Sequence, residues 1–188
     1  MKDSALIHPV PTGTIARSGR SCRVAPSGFI LLWAWLSALV CALSLGPSFA
    51  HVLEALPRLT IWSPELWRET TVFNAQFQYF LAVGAPLDVL AIVFPLVLAL
   101  LVRILGAAAL VAGAAAAFYA LALVLWFLLV APANAVLATW ASGPIPADFD
   151  TVQWRWETGH MAVASAKLFG YGFLVFALLL IGQGREPG

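Results

Sequence analysis

No Asp, Glu, Lys or Arg occurs between Val24 and Leu53, and none between Ile104 and Ala147. About 20 predominantly apolar residues suffice for a helix to cross a bilayer. In lipid a helix is favoured because it satisfies every backbone N–H and C=O within one segment. Composition agrees: 62% of the chain is hydrophobic and 10% charged, against about 25% charged in soluble domains. A net charge of +1 gives no basic patch of the kind nucleic-acid binding needs, so no nucleic-acid partner is expected.

Four spans are expected, at about 29–53, 80–104, 107–130 and 159–181. Pro86 and Pro95 should kink the second, which membrane helices tolerate when neighbours satisfy the freed carbonyls. Pro132 and the stretch Gly143-Pro144-Ile145-Pro146 should end the third. The expected fold is all-α: an integral membrane four-helix bundle, up-down-up-down, one domain over 28–183. A basic, disordered tail (1–27) precedes it and a short tail (184–188) follows.

Lys2, Arg17, Arg20, Arg23, Arg103 and Arg185 fall on one face of such a bundle. The other face carries Arg58, Arg68 and Arg155 among Glu54, Glu65, Glu69, Asp148, Asp150 and Glu157. The positive-inside rule then places both termini in the cytoplasm and the two longer loops outside, in a plasma or inner membrane. A signal peptide cleaved after Pro47-Ser48-Phe49-Ala50 is the rival reading, but the apolar run exceeds the roughly 7–15 residues of a signal core. Cys22 and Cys41 have no metal or redox spacing.

The polar residues inside these spans point to chemistry. His51-Val-Leu-Glu54 closes the first apolar run and Glu157-Thr-Gly-His160 opens the last. Each tetrad places its His and Glu three apart, on one helix face. Antiparallel spans would bring the two mirror-image tetrads level. Facing helices can hold a metal through inward Glu and His, and imidazole with carboxylate suits iron, zinc, copper or manganese. His51, Glu54, Glu157 and His160 are therefore candidate ligands of a mononuclear site, completed by Gln76, Asn134 or water. The alternative leaves them as structural pairs, with Glu54 on Arg58 or Arg155. A further alternative has His51 and His160 holding a haem across a gap.

Asp88 and Lys167 are the deepest charges and are expected to form a buried ion pair between spans two and four; the sharper alternative makes Asp88 a proton acceptor or ligand below the site, with Lys167 setting its charge state. Trp62, Trp67, Trp140, Trp154 and Trp156 map to the outer face, as an interfacial belt or in part as walls of an aromatic pocket. Ser63-Pro64-Glu65-Leu66 announces a helix, with serine as N-cap and proline at its first position. That helix is expected to run into Phe73–Tyr79, with Gln76 and Tyr79 reaching the outer cavity or merely capping the bundle. Ala109, Gly113 and Ala117, like Ala162, Ala166 and Gly170, recur four apart and should let helices approach closely.

His51 and Glu54 with Pro57 after them, Gln76 and Tyr79, Pro132-Ala133-Asn134, Trp140, and Trp154-Arg155-Trp156-Glu157 with His160 form a pattern over Phe29–Ile181. It resembles the anthrone-oxygenase-like family of small four-helix membrane proteins. The resemblance implies a membrane oxygenase that oxidises an activated methylene of a polycyclic phenol to a ketone with dioxygen. It implies a reactive site of His51, Glu54, Asn134, Arg155, Glu157 and His160. A base such as His160 would form the carbanion and Arg155 would stabilise the enolate. Gln76, Tyr79, Trp140, Trp154 and Trp156 would line the substrate pocket. The expected partners are the bilayer and a lipophilic small molecule. A non-catalytic membrane subunit or small carrier is the competing class.

Overall fold

The computed structural model describes residues 27–74 and 76–183, the side chains of residues 76–79 and 81 excepted. The expected tails, Cys22, and the side chains of Gln76 and Tyr79 lie outside the described residues. The described chain is helical, without a strand: α1 (Gly28–Thr60), α2 (Pro64–Arg68), α3 (Gln76–Leu101), α4 (Ala107–Leu125), α5 (Ala131–Leu137) and α6 (Phe149–Gln183). Single π-helical turns, Glu69–Phe73 and Trp126–Val130, follow α2 and precede α5. α1, α3, α4 with α5, and α6 are long and apolar enough to cross a membrane. The chain is thus an all-α four-helix bundle and a multi-pass membrane protein.

Local chemistry explains the boundaries. Ser27 caps α1 by accepting the Ile30 N–H, and Ser63 caps α2 by accepting that of Leu66, with Pro64 in the first turn. Pro and Ser at these positions satisfy or remove donors that have no intrahelical partner. Gly106 reverses the chain between α3 and α4 at φ 41°, a conformation glycine adopts without Cβ strain.

Four expected boundaries differ. The third span does not stop at Pro132: the π-helical turn Trp126–Val130 precedes it, and Pro132 falls in the first turn of α5. An extra residue per turn lets the helix pass a proline whose N–H is missing. α1 and α6 both run further toward the loops than expected, with 33 and 35 residues. At about 1.5 Å per residue each is near 50 Å long, more than a hydrocarbon core of about 30 Å. The loop helix also stops short of Tyr79, because Asn74 leaves helical geometry at ψ 10° before α3 begins.

Each spanning helix packs on two antiparallel neighbours, α1 and α4 each contacting α3 and α6. At the end where α1 begins and α6 ends, Ala34, Leu98, Val102, Ala108, Leu174 and Ile181 form one core. At the loop end Trp67, Val130, Leu137, Phe149, Trp156 and Val163 form another. Small residues bring α4 and α6 together. On α4 the buried ones are Ala108, Ala112, Ala115, Ala116 and Ala122, one position off the expected stripe of Ala109, Gly113 and Ala117. On α6 the expected face holds at Ala166 and Gly170, both buried.

Proline inside α3 is accommodated from α1. Pro95 removes the N–H that would bond the Ala91 carbonyl, and the Cys41 thiol donates there at 3.6 Å. The Trp33 indole donates to the Phe94 carbonyl at 3.0 Å and stacks on the Phe94 ring. The Cys41 carbonyl in turn accepts the Tyr119 hydroxyl at 2.8 Å.

Candidate functional site

The two tetrads meet. α1 and α6 run antiparallel in contact, and the rings of His51 and His160 stack at 4.2 Å with 21° between their planes. Trp156, one turn before His160, packs edge-on against both, at 5.2 Å and 4.3 Å. Its indole donates to Asn134 Oδ1 at 2.9 Å, which ties α6 to α5.

A cavity of about 740 Å³ opens beside this pair, within the size range of small-molecule sites. All four spanning helices line it. His51, His160, Trp156 and Asn134 form one wall, and Phe80, Val83 and Phe127 add apolar surface. Arg58, Glu54 and Thr71 lie toward the loops, Asp88 and Lys167 toward the middle of the bundle. Lys167 donates to Asp88 Oδ1 at 2.6 Å, to the Ser48 hydroxyl at 2.9 Å and to the Ser44 carbonyl at 3.3 Å. The Ser44 hydroxyl donates to the same Asp88 oxygen at 2.7 Å. The expected ion pair therefore forms, and two serines of α1 complete it.

The carboxylates of the tetrads are engaged elsewhere. Glu54 pairs with Arg58, one turn on. Glu157 is fully buried, and its Oε1 accepts the Trp67 indole N–H at 2.8 Å, with Arg58 Nη1 at 3.9 Å. Arg58 also approaches Nδ1 of His51 at 3.3 Å and lies over the rings of Trp62 and Trp156 at 5.5 and 5.7 Å. Among the described residues, three buried polar atoms here have no hydrogen-bond partner: Arg58 Nε, Thr71 Oγ1 and Glu157 Oε2.

This geometry does not support the metal expectation. Among the described residues no group of three or more His, Cys, Asp or Glu side chains is disposed to hold a metal ion. The two rings lie face to face at 4.2 Å, Arg58 Nη1 lies 3.3 Å from His51 Nδ1, Glu54 pairs with Arg58, and Glu157 Oε1 accepts from Trp67. The bis-His haem alternative lacks support for a related reason. Axial imidazoles must point at each other across a porphyrin, whereas these two lie face to face in contact.

Other expectations divide. Trp156 and Asn134 line the cavity; Trp140 packs against Trp67 and Phe149 instead. Arg155 is exposed and Trp154 is 60% exposed, so both point away from the cavity. Trp154 lies about 200° round α6 from Trp156, and Arg155 about 200° from Glu157, because consecutive helical residues diverge by about 100°. Trp67 is no belt residue: it is wholly buried as the donor to Glu157. Arg58 takes the place expected for Arg155. Its signal was available, since Arg58 stands four after Glu54 and seven after His51, on one helix face.

No family model, no curated protein and no solved structure matches this chain.

Proposed function

We propose that this chain is a membrane-embedded oxidoreductase acting on a lipophilic, aromatic small molecule, with His160 as general base. One observation carries the reading: an apolar cavity of about 740 Å³ between spanning helices, with a stacked imidazole pair in its wall. The anthrone-oxygenase-like pattern of the sequence supplies the reaction class. His160 removes a proton from the activated methylene, and the electron pair of the C–H bond moves into the ring system as an enolate. Arg58, rather than Arg155, is the cation near the developing charge. Dioxygen adds to the carbanion, forming a C–O bond, and the imidazolium returns its proton to give a hydroperoxide. Loss of the second C–H proton breaks the O–O bond and releases water, leaving a ketone. One methylene and one dioxygen give one ketone and one water. The charge distribution of the loops supports an extracytoplasmic site.

The test is dioxygen uptake and quinone absorbance with a dihydroxyanthrone as probe, using protein in lipid nanodiscs. Wild type should exceed spontaneous oxidation, and His160→Ala should lose roughly 10²-fold or more of that excess. Arg155→Ala should keep it. A wild-type rate equal to the spontaneous rate overturns the reading. The second reading, a non-catalytic membrane subunit or carrier, is favoured by the internal pairing of Glu54 with Arg58 and Asp88 with Lys167. Under it, His160→Ala and Glu54→Ala change folding alone.

A further inference from the structure

The stacked histidines look interchangeable, but their surroundings differ. Nη1 of Arg58 lies 3.3 Å from Nδ1 of His51. A guanidinium carries five N–H donors, has no acceptor and keeps its charge. This hydrogen bond therefore runs one way, with Arg58 donating, and Nδ1 of His51 holds no proton. A neutral imidazole then carries its single proton on Nε2. His51 is thus a donor whose acceptor nitrogen is already used.

Arg58 is held firmly for this task. Glu54 binds its Nη2, Glu157 Oε1 lies 3.9 Å from its Nη1, and its backbone carbonyl accepts the Gln153 amide at 3.0 Å. The surroundings of His160 are unlike this. Among the described residues none hydrogen-bonds its ring, whose contacts are the stacked His51 and the edge-on Trp156. Its ring lines the cavity.

We infer that Arg58 is a positioning residue that locks His51 as a hydrogen-bond donor toward the cavity and leaves His160 alone as acceptor. The site then takes a lipophile in which an oxygen acceptor adjoins an acidic hydrogen. The oxygen meets Nε2–H of His51, and the hydrogen goes to His160. As the proton leaves, negative charge grows on that oxygen and its hydrogen bond strengthens. The substrate class rests on the oxidoreductase reading; the tautomer does not.

Nitrogen-15 NMR of the histidine rings in the full chain, in nanodiscs and without substrate, tests the lock. His51 signals are identified by their loss in His51→Asn. The expected result is an unprotonated Nδ1 and a protonated Nε2 at His51. Arg58→Met should convert this to a mixture of tautomers, and Arg58→Lys, which retains a donor, should restore most of it. A hydroxyanthraquinone, which offers the oxygen acceptor but no oxidisable methylene, should shift the Nε2–H resonance of His51. Arg58→Met should lose most of that shift.

A proton on Nδ1 of wild-type His51 overturns the inference. So does an unchanged tautomer in an Arg58→Met protein that retains its helical circular dichroism. Should Arg58→Met fail to fold, the wild-type spectrum decides alone. A locked tautomer in a protein that does not oxidise the anthrone probe removes the oxidoreductase reading and leaves the role of Arg58 standing.

Discussion

Lys167 spends all three of its N–H bonds on α1 and α3, and Asp88 Oδ1 accepts one of them together with the Ser44 hydroxyl. Removing one member of such a pair leaves a charge without compensation in a low-dielectric site, at a cost of about 3–5 kcal/mol. Lys167→Met should lower stability by that order, read as the loss of helical circular dichroism in a denaturing detergent titration. Adding Asp88→Asn should recover most of the loss; an additive double variant would show that the two side chains do not act as a pair. Gly170 and Gly113 make a second residue-scale contrast. A Cβ on Gly170 would lie 2.8 Å from Tyr119 Cδ2, while one on Gly113 meets nothing within 4 Å. Gly170→Ala should therefore cost about 1–3 kcal/mol through overpacking. Gly113→Ala should be neutral or gain up to about 1 kcal/mol from helix propensity. The same detergent titration checks both.

At the scale of elements, the loop end is assembled by α2 and the π-helical turn after it. Arg68, only 7% exposed, donates to the carbonyls of Gly143 at 2.7 Å, Pro144 at 3.0 Å and Ala141 at 3.4 Å. It thereby fastens the loop between α5 and α6, where Gly143 takes φ 133°. Arg68→Ala should leave the spanning helices intact and expose residues 141–148 to limited proteolysis. The carboxyl of Glu65 is held below its usual range, first by its own backbone N–H and then by the Ser63 side chain. A depressed carboxyl contributes stability above its unfolded pKa, and that contribution is lost as pH falls through the folded value. Amide exchange at residues 64–68 should therefore speed up as pH drops below the ordinary carboxylate range, after correction for intrinsic exchange. Ser63→Ala should move that acceleration to higher pH. No such movement would mean that the serine does not bind the carboxyl.

The whole molecule decides what the polar residues can do. The cavity exists because α1 and α4 each contact α3 and α6 while a gap stays open between the four helices near the loops. Gly84 lines that gap, and nothing lies within 4 Å of its Cβ direction. Gly84→Phe should fill the space, abolish binding of the hydroxyanthraquinone probe and leave the detergent unfolding midpoint near that of wild type. Retained binding would place the ligand elsewhere. The number of spans, their antiparallel order and the Asp88–Lys167 level were legible in the sequence, because long uncharged runs admit few solutions in lipid and charges inside them need partners. The encounter of His51 with His160 followed from the same antiparallel course. The sequence did not disclose which way each side chain turns about its helix axis. That rotation buried Glu157 against Trp67, sent Arg155 outward and shifted the packing face of α4 by one position. It is set by how bulky and small side chains interlock across all four helices at once, a condition no single segment contains. What the chain fixes alone is therefore a four-helix membrane bundle with two facing histidines. Only packing between helices decided that Glu157 turns to Trp67 and that Arg155 leaves the cavity side.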